Sequence, residues 1–148
     1  METHARPGRV DWIGVRPARR APMTRLDRVA VTEAGLAGDH GRAGKRAVTL
    51  IQAEHLPAIA ALCDGAVTPQ ALRRNILVSG INLAALRGRD VSIGSVIVHI
   101  TGPCAPCSRM EETLGPGGYS AVRHHGGWCA QVIRGGEILL GDSAAIST

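Results

Sequence analysis

Apolar residues in this chain come in short runs, and nearly every run is stopped within a few positions by Gly, Pro, Asn or Asp. This punctuation constrains the fold more than any other feature. A core-packing helix needs about ten or more residues of unbroken 3.6-period pattern, whereas a strand needs only about five. Val10–Val15, Asp27–Val31, Arg46–Ile51, Asn75–Ser79, Val91–Ile93, Val96–Ile100, Trp128–Ile133, Glu137–Leu140 and Ala144–Ile146 all read as strands. The turn around Gly94–Ser95 joins two of them, and Gly135–Gly136 reads as a hairpin connection between two more.

Only Gln52–Cys63 carries a sustained helical pattern, with Leu56, Ile59, Ala60 and Leu62–Cys63 at helical spacing and Asp64–Gly65 as its stop. Thr68–Leu72 and Asn82–Leu86 read as single helical turns, and Thr68 before Pro69 has the order of an N-cap before a first helical residue. One domain over residues 1–148 is expected: mainly β, a closed, antiparallel-rich β-barrel with one principal helix and short helical turns. A dinucleotide-binding fold is excluded, because no Gly-x-Gly-x-x-Gly opens a helix after a strand. With no Phe, one Tyr and two Trp, the core has to be built from Val, Ile, Leu and Ala.

The formal charge of +5 is concentrated at one end: residues 1–28 hold seven arginines against three acids. Lys45 is the only lysine, and arginine suits bidentate binding of phosphate or carboxylate. A non-catalytic basic binding module is therefore one reading of the chain. Nucleic acid is not the expected partner, since aromatic residues for base stacking are nearly absent. The first twenty residues have no apolar leader core, and the longest uncharged run, Val91 to Ser108, is broken by Gly94, Gly102, Pro103 and Pro106. A cytoplasmic protein without a membrane span is expected, and its four cysteines read as thiols, ligands or nucleophiles rather than a disulfide framework.

Chemistry concentrates in Thr101-Gly102-Pro103-Cys104-Ala105-Pro106-Cys107-Ser108-Arg109-Met110-Glu111-Glu112, which follows a clear strand. Ser108 to Leu114 fits a short helix. Cys107 would then lie at its N-terminus, where unpaired N–H groups and the helix dipole favour a thiolate, with Arg109 adding positive potential. The Cys104/Cys107 pair also fits a thiol redox protein, although the expected βαβ context is missing. Structural zinc would need a second ligand pair, which Cys129 with His124 or His125 could supply. Cys63, on the apolar helix face, reads as a buried structural thiol. The remaining reading is a reactive or metal-ligating Cys107.

Several segments taken in order carry a family resemblance: Gly35-Leu36-Ala37-Gly38-Asp39-His40, Arg46–Ile51, Arg73-Arg74-Asn75-Ile76-Leu77-Val78-Ser79-Gly80, Gly94, Gly102-Pro103-Cys104-Ala105-Pro106-Cys107, Gly126-Gly127-Trp128-Cys129-Ala130, Gly136 and Gly141-Asp142. In order and spacing they resemble the MOSC family, the C-terminal domain of molybdenum-cofactor sulfurases. The resemblance runs from about Gly8 to the end of the chain. It implies a closed β-barrel and a functional cysteine, matched by Cys107, which acts as a molybdenum ligand or sulfur carrier. Cys104 is the lesser candidate. It further implies the molybdenum cofactor (molybdopterin), a sulfurtransferase or electron-transfer protein as partner, and phosphate and pterin contacts from Arg73, Arg74 and Asn75 and from Asp39 and His40. Arg109 and His125 complete the expected lining. The small-molecule substrate is left open. Pyridoxal phosphate is not expected, since it belongs to the sulfurase domain fused to some relatives. His99, between Val98 and Ile100, reads as an ordinary barrel side chain.

Overall fold

The computed structural model describes residues 7–18, 22–39, 43–45, 47–57, 74–103 and 127–147. Its strands are β1 (Gly8–Val15), β2 (Thr24–Leu26), β3 (Arg28–Thr32), β4 (Gly35–Leu36), β5 (Val48–Gln52), β6 (Ile76–Ser79), β7 (Asp90–Ile93), β8 (Val96–Pro103), β9 (Trp128–Arg134), β10 (Gly136–Leu139) and β11 (Ser143–Ile146). Seven of them close into a barrel in the order β11-β7-β8-β9-β5-β6-β1, with β1 pairing back to β11. β2 extends β1 outside the ring, and β10-β3-β4 form a separate small sheet.

An odd ring cannot be antiparallel throughout, because each antiparallel step reverses the strand direction and the last strand must match the first. The one exception here is β5–β6, a parallel pair with Leu50 opposite Ile76 and Gln52 opposite Val78. Parallel neighbours need a crossover of a dozen or so residues, in contrast to a two-residue hairpin. The stretch between β5 and β6 is where the principal helix is expected. Its described start is a 3-10 turn at Ala53–His55 that passes into helical geometry at Leu56. The rest of that helix, and the turn at Thr68–Leu72, lie outside the described residues. The expected turn at Asn82–Leu86 is a 3-10 helix over Leu83–Leu86.

The barrel interior is aliphatic, as the composition requires. Ile13, Leu50, Ile76, Ile93 and Ile100 are among its fully buried side chains. Side chains alternate along β6, so Ile76 and Val78 join the core cluster while Leu77 is half-buried on the other face. β5 is buried at every position, as befits a strand covered on both faces.

Gly135–Gly136 is not a hairpin. β9 pairs with β8 and β5, whereas β10 leaves the barrel to pair with β3. Neither glycine has the positive φ of a tight hairpin turn. Both are needed for close approach: a Cβ on Gly135 would lie 2.6 Å from the Val31 carbonyl oxygen, and one on Gly136 2.4 Å from Ser95 Oγ. β2 was not legible in the sequence, since Thr24-Arg25-Leu26 has no apolar alternation and is held by pairing Leu26 with Ile13.

Gly127, which introduces β9, has φ +104°, and a Cβ there would lie 2.2 Å from the Leu50 carbonyl oxygen. Gly127→Ala is therefore expected to cost about 3 kcal/mol or more, combining left-handed backbone strain with a backbone clash. Equilibrium urea unfolding should show a lower midpoint, and an unchanged midpoint would contradict this account of the β9 entry.

Candidate functional site

Four polar or charged residues are buried as whole residues in the described structure: Thr49, Gln52, Arg74 and Asn75. Gln52 is accounted for by the loop after β6, where its Oε1 accepts the Leu83 N–H at 3.0 Å. Asn75, just before β6, is the hub of the rest. Its Oδ1 accepts the Thr49 N–H at 3.1 Å and the Thr49 hydroxyl at 3.0 Å. Its Nδ2 donates to the Gly14 carbonyl at 3.1 Å and to Asp39 Oδ1 at 3.2 Å. Its own N–H donates to Thr49 Oγ1 at 2.9 Å, and its carbonyl accepts the Gly14 N–H at 2.8 Å. One side-chain amide thus ties β5, β6, the end of β1 and the segment after β4 together, with each amide atom making two hydrogen bonds.

Asp39 extends this frame. Its side chain is only 1% exposed and is gripped by Arg16, one residue beyond β1. Arg16 donates from its backbone N–H at 2.7 Å and from Nε at 3.1 Å to Asp39 Oδ1, and from Nη2 at 3.0 Å to Oδ2. This bidentate, charge-assisted pairing fixes the plane of the guanidinium as well as its position. Arg74, immediately before Asn75, is buried at 6% exposure.

Strand polarity decides which candidates share an end of the barrel. β5, β6, β8 and β11 run one way, and β1, β7 and β9 the other. Arg74–Asn75 at the start of β6 and Arg16 at the end of β1 therefore lie at one end. β8 finishes at Pro103, where the cysteine segment continues the chain, and the cross-strand row Pro103–Trp128–Leu50–Ile76 links that exit to the start of β6. Around that exit, the Thr101 hydroxyl lies 2.7 Å from the Lys45 carbonyl oxygen and 3.1 Å from that of Cys129, and the Arg87 guanidinium lies beside Gly102. The Cys129 thiol is buried. His99, expected as a plain barrel side chain, has its Nδ1 2.8 Å from Asp90 Oδ1 on the neighbouring strand.

Of the residues expected to form the site, Asp39, Arg74 and Asn75 are described, and the structure joins Asp39 directly to Asn75. Cys107, His40, Arg73, Arg109 and His125 lie outside the described residues, as do Cys63, Cys104, His124 and the helix proposed over Ser108–Leu114. Among the described residues no group of three or more His, Cys, Asp or Glu could hold a metal ion. Two members of the frame escaped the sequence reading, Arg16 and Thr49. Arg16 follows a strand in an arginine-rich stretch, and nothing local distinguishes it from its neighbours. Thr49 reads only as the polar position in an alternating strand.

The model of the MOSC domain family matches residues 37–145, well over half the chain. The chain belongs to the MOSC family. The matched span takes in both the Asp39–Asn75 frame and the cysteine segment. Among solved structures, this MOSC barrel is similar to the YuaD protein from Bacillus subtilis, with a TM-score of 0.81 at 16% identity over 95% of this chain and 96% of that one. YiiM from Geobacillus stearothermophilus gives a TM-score of 0.76 at 19% identity over 96% and 76% of the two chains. YiiM from Escherichia coli gives 0.72 at 20% identity over 97% and 70%. At these identities the likeness is one of fold. No curated protein matches the sequence.

Because every polar atom of the Asn75 side chain is used, Asn75→Ala should strand Thr49, Gly14 and Asp39 groups in a buried setting and cost about 3 kcal/mol. Asp39→Asn keeps the shape but weakens the grip on Arg16, and should cost about 2 kcal/mol. Chemical denaturation of both single mutants and the double mutant measures these losses. Strict additivity would mean that the two residues do not act through one network.

Proposed function

We propose that this MOSC domain binds the molybdenum cofactor or carries sulfur, with Cys107 as the working thiolate. The match to the MOSC family over residues 37–145 carries this reading. The chemistry of the side chains at hand supports it. Cys104 and Cys107 offer soft sulfur ligands of the kind that binds transition metals. Arg74, with Arg73 before it in sequence, offers guanidinium groups suited to a phosphate ester. Asn75 and Asp39 serve as the frame behind Arg74, since their polar atoms are spent on Thr49, Gly14 and Arg16. His40, Arg109 and His125 are the further candidates for the lining.

When bound, the cofactor supplies a redox-active metal centre, and Cys107 supplies a thiolate ligand to it. In the sulfur-carrier form of the same reading, a sulfurtransferase partner presents a persulfide. The Cys107 thiolate attacks its terminal sulfur, a new S–S bond forms on Cys107, and the donor cysteine leaves as a thiolate. No net oxidation occurs, and the incoming sulfur remains available for transfer.

The test is to purify the protein from a host that makes the molybdenum cofactor, and to measure metal content and persulfide labelling. Cys107→Ala is expected to lose loading by at least tenfold, while Cys63→Ala keeps it. Equal loading of wild type and both variants would reject the assignment.

A further inference from the structure

The Arg16–Asp39 pair has one side left over. Asp39 engages the Nε edge of the guanidinium, through Nε and Nη2. A guanidinium carries more N–H donors than that edge uses. Nη1 and the second Nη2 hydrogen of Arg16 make no hydrogen bond among the described residues. The side chain keeps 16% of its surface exposed while its carboxylate partner keeps 1%. Asp39 is itself braced by the Asn75 amide and by the Arg16 backbone N–H, so the free edge is held at a fixed position and angle. Arg9 and Arg25 differ: their ion pairs are with near neighbours in sequence, and their side chains are 69% and 58% exposed.

From this geometry we infer that Arg16 is an oxyanion-binding residue, presenting its Nη edge to a phosphate-class group at the end of the barrel where β1 finishes and β6 begins. A guanidinium held in plane by a buried carboxylate has already lost the side-chain freedom that an exposed arginine gives up on binding. That advantage favours a tetrahedral oxyanion able to take two parallel N–H bonds over a halide, which takes a point charge. Free phosphate and the phosphate end of a larger ester share this chemistry. This deepens the phosphate contact proposed for Arg74 at the same end of the barrel, while its test uses neither the cysteine segment nor molybdenum.

The experiment is titration of the full chain with inorganic phosphate and with phenyl phosphate. It is followed by calorimetry and thermal shift, with chloride at matched ionic strength as the control. Wild type should bind at least one of the two phosphates, with no response to chloride. Arg16→Gln should weaken that binding by roughly tenfold to a hundredfold, the range for charge-assisted hydrogen bonds. Arg16→Lys, which keeps charge without the fork, should also weaken it, and Arg25→Gln should not. Tighter binding of phenyl phosphate assigns the site to an ester end, and tighter binding of inorganic phosphate to the free anion.

Phenylglyoxal labelling of wild type, read by peptide mass, does not depend on any variant folding. Arg16 should be protected by the phosphate that binds. Binding equal in wild type and Arg16→Gln, no binding beyond the chloride control, or labelling of Arg16 unaffected by phosphate would overturn the inference. Loss of metal and sulfur loading at Cys107 is a separate measurement and leaves this one standing.

Discussion

Closing seven strands into a ring forces one parallel seam, and the structure puts it between β5 and β6. Much else follows from that seam. It requires a long crossover, which opens on the 3-10 turn at Ala53–His55. It buries β5 on both faces. It also brings the starts of two parallel strands side by side, so that Thr49 and Asn75 meet there and exchange backbone and side-chain hydrogen bonds. A hydrocarbon side chain in place of Asn75 could fill the space but could not satisfy the backbone groups of Thr49 and Gly14 and the carboxylate of Asp39 together.

The same amide links scaffold to candidate chemistry. It closes the seam on one side and supports Asp39 on the other, and Asp39 in turn holds Arg16. The rigidity of the guanidinium is thus borrowed from the barrel wall, through residues that are distant in sequence. An arginine alone in solvent has no such orientation. Buried ion pairs of this kind add little net stability, because desolvation offsets attraction, but they fix geometry where geometry matters for binding.

Much of the fold was legible from short-range pattern. The strands at Val10–Val15, Asn75–Ser79, Val91–Ile93 and Val96–Ile100 follow from apolar alternation bounded by turn residues. The aliphatic core follows from the absence of Phe. Gly135–Gly136 departs from the hairpin that its sequence predicts. Two adjacent glycines between strands give the same local signal whether they bend the chain or let it pass close to another backbone, and here they do the second against Val31 and Ser95. The candidate site was legible in part. Asp39, Arg74 and Asn75 stand out by motif order, whereas Arg16 becomes visible only once a carboxylate 23 positions away is found against it.

The sequence by itself determined the class of structure, the chemistry of the core, the membership of the MOSC family and the segments in which reactive or cationic side chains are concentrated. These are properties of neighbours along the chain: two-residue alternation, turn chemistry and motif order. Tertiary structure alone decided the pairing of strands, the single parallel seam and the partnership of Arg16 with Asp39. It also brought Asp39, Asn75 and Arg16 together where β1 finishes and β6 begins. Those outcomes depend on ring closure and on satisfying buried polar groups across long sequence separations, and no local window contains that information.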